Sequence, residues 1–234
     1  MKKGKLSQNP ICSILSLIIF LAMIVGNTSC EAVEKREVID LPDPRYIGTT
    51  TVEEALHARK SIRNYTNEPL TLSDVSQLLW SAQGITRSGC FRTAPSAGAL
   101  YPLEVYVVVG SVKNLTAGIY KYKPQEHDLI KIEEDDKRAE LSEAAFGQSW
   151  IKDGAIAMIF AGVFQRTKQK YGGRGSRYVH VEAGAASENV YLQAVSLNLG
   201  TVIVGAFDDK RVKALLRMSS DEDPLIIMPI GRPK

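Results

Sequence analysis

A short segment of the chain combines three cationic side chains with a serine hydroxyl group, and a further arginine lies near the C-terminus. Arg59, Lys60, Ser61 and Arg63 lie within five residues, and Arg232 follows an apolar run close to the C-terminus. A phosphate group binds planar, multidentate donors and hydroxyl groups, which arginine and serine supply. Such residues taken alone are more often solvated surface. These five residues suit a phosphate group and are named here the cationic cluster.

Two turns made of small residues lie between the two parts of the cationic cluster. Because few bulky side chains occur in them, backbone groups can approach a flat ligand closely, although a plain structural turn has the same composition. A ligand with a dianionic end and a flat, polar-edged ring suits these turns and the cationic cluster, and flavin mononucleotide (FMN) is such a ligand. The 95–98 loop and the 205–206 turn consist of Pro95, Ser96, Ala97, Gly98, Gly205 and Ala206.

The order, types and spacing of these residues resemble the FMN-dependent nitroreductase superfamily. The string Pro-Ser-Ala-Gly-Ala-Leu-Tyr-Pro at 95–102 is similar to its SagB-type branch of thiazole- and oxazole-forming dehydrogenases. The resemblance extends from about Thr50 to Pro233. It implies an α+β fold of three layers, in which helices flank a central, mostly antiparallel sheet. It also implies a domain-interleaved homodimer with one FMN in each of two clefts between the subunits.

The resemblance implies a role for each group of residues. The cationic cluster would hold the FMN phosphate, and the 95–98 loop would lie along the ring and the ribityl chain. The N–H groups of the 205–206 turn would face the reactive edge of the ring. Ordinary nitroreductases often carry an asparagine in the first loop, whereas Ala99 stands at the nearest equivalent position here. This departure favours the SagB-type branch.

Lys170 and Tyr171 are the candidate catalytic residues. They lie in a stretch rich in glycine and arginine that resembles the azoline-oxidising enzymes, whose Lys-Tyr pair is implicated in removing a ring proton as hydride leaves. A lysine accepts a proton only in its uncharged form, which burial or neighbouring cations such as Arg174 and Arg177 favour. Without the resemblance this dipeptide predicts nothing, so a structural role stays an alternative.

The predicted function is that of an FMN-dependent oxidoreductase. Hydride would pass between the flavin and an unidentified small-molecule or peptide substrate, with azoline oxidation as a specific version. Nitro or quinone reduction is one alternative, and a non-catalytic module that binds flavin or another ligand at a cell surface is a second. NAD(P)H, a quinone and oxygen all stay open as the electron donor or acceptor.

The first 29 residues have the layout of a secretory signal. Lys2, Lys3 and Lys5 precede a mostly apolar run at 11–25, and small and polar residues follow up to Cys30. Cleavage after residue 29, lipidation of Cys30 and retention as a membrane anchor are alternatives that need the same apolar segment. We expect a signal or anchor at 1–29, a tether or arm at 30–47 and the FMN-binding domain at 48–234, exported from the cytoplasm.

Composition and charge limit the remaining classes. The chain has 234 residues, of which 44% are hydrophobic and 24% charged, as is typical of one globular domain. Three of its 29 basic residues lie in the first 29 positions, which leaves 26 against 26 acidic ones, so no nucleic-acid partner is predicted. The histidines are isolated and Cys90 is the single thiol of the expected domain, so neither a metal site nor an internal disulfide is predicted.

Local patterns predict helices and strands that do not alternate strictly, which favours an α+β fold. Thr51 and Thr71 each precede an acidic residue by three positions, so a capped helix is expected after each. The polar residues 165–177 predict a loop, and the following helix is marked by Val181, Ala185, Glu188, Leu192 and Val195. Strands are expected at 103–109, 155–163, 201–204 and 225–230, a hairpin at 120–132, and further helices at 138–146 and after Asp208.

Overall fold

The structure is a computed structural model that describes residues 37–87 and 91–234 of the chain. The predicted signal or anchor and the three cysteines lie outside the described residues. Among the residues that are described, no helix combines the length and the apolar composition of a membrane span.

Helices and strands follow one another in mixed order along the described ranges. The helices are α1 (Val52–Ala58), α2 (Leu72–Gln83), α3 (Arg138–Ala144), α4 (Trp150–Asp153), α5 (Phe164–Tyr171), α6 (Gly175–Ser196) and α7 (Asp209–Leu215). The strands are β1 (Val38–Asp40), β2 (Leu70–Thr71), β3 (Ile85–Arg87), β4 (Phe91–Arg92), β5 (Leu103–Val109), β6 (Val112–Lys113), β7 (Gly118–Lys123), β8 (Asp128–Glu134), β9 (Ile156–Gly162), β10 (Gly200–Thr201) and β11 (Asp223–Gly231). Short 3₁₀ turns occupy Ala97–Ala99 and Gly172–Arg174.

The central sheet has seven strands in the order β1-β8-β7-β5-β9-β11-β10, and its neighbouring strands are antiparallel. Met158 of β9 lies opposite Val107 of β5 on one side and Met228 of β11 on the other. The strands predicted at 103–109, 155–163 and 225–230 are these three adjacent interior strands of the sheet. Their long apolar runs are typical of strands that are buried on both faces.

Helices cover both faces of the sheet, so the domain has three layers. On β5, Val105, Val107 and Val109 pack with α2 and α6, whereas Tyr106 and Val108 pack with α3, α4 and α7. This alternation follows from the two-residue period of a strand. The predicted α+β fold with a central antiparallel sheet between helices is confirmed.

Helix starts agree with the capping patterns. The Thr51 and Thr71 side chains accept the N–H groups of Glu54 and Asp74, whose carboxylates accept the threonine N–H groups in return. Asp208 accepts two N–H groups at the start of α7. Caps of this kind depend on neighbours in sequence alone, which is why they could be predicted.

The loop predicted at 165–177 is wrong, because these residues are helical. Helix α5 runs to Tyr171, and α6 begins already at Gly175. Most of α5 is exposed and polar, but Thr167 is fully buried and Phe164 packs against the core. These two residues and Tyr171 have helical spacing, a weak signal that the surrounding polar residues obscure.

The helix predicted after the 165–177 segment is confirmed as α6, and its core-facing side differs from the residues that marked it. Val179, Ala183, Ala186, Val190 and Ala194 face the core. The residues that predicted the helix lie elsewhere on its surface, and Val181 is 64% exposed. The helix therefore carries a second side that is partly buried and on which Val181 is exposed.

The folded domain starts before residue 48, which corrects the boundary predicted there. Val38 to Asp40 form the edge strand β1, which pairs with β8. Leu41 is buried, and the Arg45 N–H group donates to Gln77 Oε1 at 2.8 Å. The segment was predicted as a tether or arm because its composition is polar, but an edge strand needs only backbone pairing on one side.

Candidate functional site

The two parts of the cationic cluster lie side by side, although about 170 positions separate them in sequence. Ser61 pairs with Thr201 of β10, and Tyr65 pairs with Pro233. The N–H group of Thr66 donates to the carbonyl oxygen of Arg232 at 2.8 Å. The last strand of the sheet therefore carries Arg232 to the loop that follows α1.

Tyr191 of α6 supports the first part of the cationic cluster. The guanidinium carbon of Arg59 lies 5.2 Å from its ring centroid, and Ser61 Oγ lies 3.3 Å from its hydroxyl oxygen. The same hydroxyl accepts the N–H group of Ile203 at 2.9 Å. Arg59 also lies 3.7 Å from Glu188. Tyr191 is buried and was not singled out from the sequence, where it resembles one more core residue of α6.

The other cationic side chains point toward different elements. Arg232 lies 3.3 Å from Asp74 and 3.2 Å from Glu68, and Arg63 lies over the ring of Trp150 at 5.6 Å. Lys60 is exposed. The structure thus brings the backbone segments of the cationic cluster together, while the charged ends of Arg59, Arg63 and Arg232 diverge.

The 205–206 turn lies close to the cationic cluster and is open to solvent. Val204 pairs with Ile227, which ends the buried part of this segment. Gly205 and Ala206 are exposed, and within the described ranges neither N–H group donates to a protein acceptor. The Tyr191 hydroxyl accepts the N–H group of Ile203 and also contacts Ser61 Oγ, so one side chain supports both the turn and Ser61. Two unengaged N–H groups can therefore donate to a ligand beside the cationic cluster.

A buried carboxylate holds the 95–98 loop. Glu182 of α6 accepts the N–H group of Ala97 at 2.8 Å, and Ser96 Oγ accepts that of Tyr101 at 2.8 Å. Burial raises the pKa of Glu182, whereas its hydrogen bonds with Ala97 and Ser96 act in the opposite direction. Sequence analysis missed Glu182, and its only signal was an acidic residue between apolar positions of a helix.

Helix α5 places both candidate catalytic residues against the 95–98 loop. Gly98 has a φ of +65°, and a methyl group added to it would lie 2.8 Å from both Lys170 Nζ and Tyr171 Oη. Lys170 is exposed, and Tyr171 is half-buried with its ring 5.1 Å from that of Tyr178. The predicted proton-transfer pair and the predicted ring-binding loop are therefore in direct proximity.

Helix α6 separates the two halves of the predicted site. Glu182 holds the 95–98 loop and Tyr191 supports the cationic cluster, nine residues further along the helix. At about 1.5 Å and about 100° per residue, they lie roughly 13 Å apart along the axis and on opposite sides of it. Within one chain, the cationic cluster and the 95–98 loop therefore do not face each other.

Comparison with known proteins identifies the class to which this fold and site belong. Residues 56–232 match the Nitroreductase family. A protein of Methanocaldococcus jannaschii that carries a provisional nitroreductase name is 45% identical over 194 residues, which are 83% of this chain and 96% of that protein. The chain therefore belongs to the nitroreductase family, whose members are generally FMN-dependent oxidoreductases.

Two further relatives support the fold and the chemistry of the family. The FMN reductase (NAD(P)H) of Bacillus subtilis is 26% identical over 196 residues, which are 78% of this chain and 66% of that protein. The crystal structure of a provisionally named nitroreductase from Ralstonia eutropha matches with a TM-score of 0.75 and 32% identity, covering 84% of this chain and 90% of that one. The predicted superfamily is confirmed, and the SagB-type branch stays a prediction.

Proposed function

We propose that this chain binds FMN and transfers hydride between the flavin and an organic substrate that also exchanges a proton with the protein. The observation that carries the proposal is the position of Lys170 and Tyr171 beside Gly98, at the loop predicted to lie along the flavin ring. Bound FMN would supply a hydride carrier, which no protein side chain provides. The side chains would supply binding, orientation and proton transfer.

The described residues fit the parts of FMN unequally well. Ser61 and Lys60 are exposed beside Arg59, and the unengaged N–H groups of the 205–206 turn suit a polar ring edge that gains negative charge. To bind the phosphate, Arg232 must give up its contacts with Glu68 and Asp74. The phosphate dianion favours this exchange because it forms charge-assisted hydrogen bonds with the guanidinium group. We therefore propose Arg59, Lys60, Ser61, Arg63 and Arg232 as the phosphate-binding group.

A homodimer would bring the two halves of the site together. In one chain they contact opposite sides of α6, so a flavin held by the cationic cluster needs the 95–98 loop of a second copy. Val52 and Leu56 of α1 and Val181 of α6 are all more than half exposed and offer apolar surface for this contact. We propose that each subunit supplies the cationic cluster to one site and the 95–98 loop to the other.

Lys170 and Tyr171 favour a substrate that loses a proton together with a hydride. In that direction Lys170 accepts the proton, and the neighbouring Tyr171 hydroxyl orients the reacting group. Azoline oxidation is a reaction of this type and is the specific version that we propose. Nitro or quinone reduction is the second candidate, favoured by the similarity to the Bacillus subtilis FMN reductase, and in it protonated Lys170 would return a proton.

Colour, stoichiometry and mass test the proposal. Purified protein should be yellow, contain one FMN per chain and have the mass of a dimer in solution by light scattering. The absorption band should bleach when dithionite is added and return in air. A colourless monomer that takes up no FMN would instead favour the non-catalytic ligand-binding module.

A matched pair of lysine variants on α5 tests the proton-transfer step. Lys170→Ala should retain FMN and oxidise a synthetic thiazoline about 100-fold or more slowly, because a general base contributes roughly this much. Lys168→Ala is the control, since Lys168 is exposed on the same helix and lies over Phe164. Equal rates in both variants would remove Lys170 from the reaction.

Export is a separate proposal that depends only on residues 1–29. An exported chain would meet little NAD(P)H, so a quinone, oxygen or a membrane electron carrier would exchange electrons with it. The mass of the N-terminal peptide of native protein distinguishes cleavage, lipidation and retention. An unprocessed N-terminus in a protein recovered from the cytoplasm would contradict export.

A further inference from the structure

We propose that a cleft between β5, β7 and α5, bounded by Arg92 and Arg166, binds a carboxylate group of the substrate. The cleft has a volume of about 300 Å³, and its other charged or polar residues are Glu104, Tyr122, Lys123 and Gln125. Nothing in the predicted FMN site uses these residues. The inference rests on the proposed function, because it assigns the chemical class of the molecule that the same site would oxidise or reduce.

Arg92 is a half-buried cation without a carboxylate partner. Its guanidinium carbon lies 4.6 Å from the ring centroid of Tyr101, and one of its nitrogen atoms donates to the neutral amide of Gln83 at 2.8 Å. Its Nε atom is buried and has no partner, and no carboxylate of the described ranges forms an ion pair with it. Burial lowers the pKa of Arg92. The nearby Glu104 carboxylate acts in the opposite direction without forming an ion pair with Arg92. A half-buried cation that lacks an ion pair is costly, and a bound anion would reduce the cost.

The rest of the cleft leaves an excess of positive charge. Arg166 lies 2.6 Å from Glu104, which also lies 3.2 Å from Lys121. The single carboxylate of the wall is thus paired with Arg166 and shares Lys121 with Glu222, while Arg92 and Lys123 form no ion pair within the described ranges. A planar carboxylate that accepts two hydrogen bonds matches the donor geometry of a guanidinium group. The Glu104 carboxylate repels a phosphate dianion more strongly than it repels a singly charged carboxylate.

Helix α5 connects the cleft to the candidate catalytic pair. Arg166 and Lys170 are four residues apart, so they lie on one face of the helix, about 6 Å apart along its axis. Arg166 donates to the carbonyl oxygen of Tyr101 at 3.1 Å, and Lys170 lies beside Gly98. A carboxylate in the cleft would thus hold the reacting part of its molecule about one helical turn away. We infer a small acid or a peptide C-terminus as the substrate class.

Benzoate and benzamide test the inference, because they have the same shape and differ in charge. Calorimetric titration of the purified full-length protein should give benzoate an affinity at least about tenfold above that of benzamide, since a charge-assisted contact is lost. Arg92→Gln should weaken benzoate binding by about tenfold or more and leave benzamide unchanged. Arg211→Gln is the matched control, because Arg211 is exposed on α7.

Three results would overturn the inference. They are equal affinities for benzoate and benzamide, unchanged benzoate affinity in Arg92→Gln, and binding of inorganic phosphate as tight as that of benzoate. Lys123 also lines the cleft, so Lys123→Gln should weaken benzoate binding as well. This variant replaces Arg92→Gln in the test if Arg92→Gln does not fold. Flavin absorbance is recorded on the same preparations. Yellow protein that does not bind benzoate refutes the carboxylate site alone. Protein without flavin refutes the proposed function, and the benzoate titration of that protein still tests the carboxylate site.

Discussion

Gly98→Ala tests whether the 95–98 loop must fit closely against Lys170 and Tyr171. The added methyl group would lie 2.8 Å from both side-chain ends, whereas carbon contacts are optimal at about 3.5–4.0 Å, so the ends must retreat by roughly 1 Å. Lys170 is exposed and can move freely. Tyr171 is held against Tyr178, and displacing it from its rotamer costs about 0.5–1.5 kcal/mol. A left-handed alanine adds about 1–2 kcal/mol.

Gly147→Ala separates these two costs. Gly147 has a φ of +75° and no atom within 4 Å of an added methyl group, so it shares only the backbone cost. The two variants should differ by about 0.5–1.5 kcal/mol, or roughly 1–6 °C in Tm, by calorimetry. Thiazoline oxidation should fall by up to about 100-fold in Gly98→Ala alone, because a 1 Å displacement costs this much. Equal Tm and equal rates in both variants would refute the close fit.

Two further substitutions test the supports around the site. Tyr191→Phe leaves the Ile203 N–H group and Ser61 Oγ without their shared partner. We therefore expect the free energy of unfolding to fall by about 1–3 kcal/mol in thermal unfolding, and FMN to bind more weakly in a fluorescence titration. Wild-type values in both assays would contradict the role of Tyr191. His127 contacts Ser76 and Tyr122, and burial lowers its pKa below 6.5. The unfolded state then binds more protons, so the free energy of unfolding, measured in urea, should fall as pH decreases from about 7 to about 5. This dependence on pH should be shallower in His127→Gln. Identical slopes in the two proteins would exclude His127 as the cause.

The parts of the fold that could be predicted depend on neighbours in sequence. The capping boxes at Thr51 and Thr71 and the cap at Asp208 each lie within four residues, and the three central strands carry continuous apolar runs. Helix α5 could not be predicted in this way, because one buried threonine and one partly buried phenylalanine hold it in place among polar residues. Its helical state depends on packing against α6 and the core.

The same distinction applies to the candidate site. Residue types and the family resemblance together were sufficient to nominate the cationic cluster and the 95–98 loop, and the Lys170-Tyr171 pair was nominated by the resemblance alone. The residues that fix these groups, Tyr191 and Glu182, act through hydrogen bonds over 130 and 85 positions. Such pairs leave no pattern in a single sequence, since a tyrosine or glutamate on a helix is ordinary in itself.

The residues that marked α6 in the sequence do not face the core, and this bears on assembly. A surface helix normally has one apolar side, and its period then identifies the side that faces the core. Helix α6 has a second stripe, on which Val181 is exposed and Leu192 is only partly buried. An apolar stripe strong enough to mimic a core-facing side is costly to expose to water. A second copy that covers it would also supply the 95–98 loop that the cationic cluster lacks in its own chain.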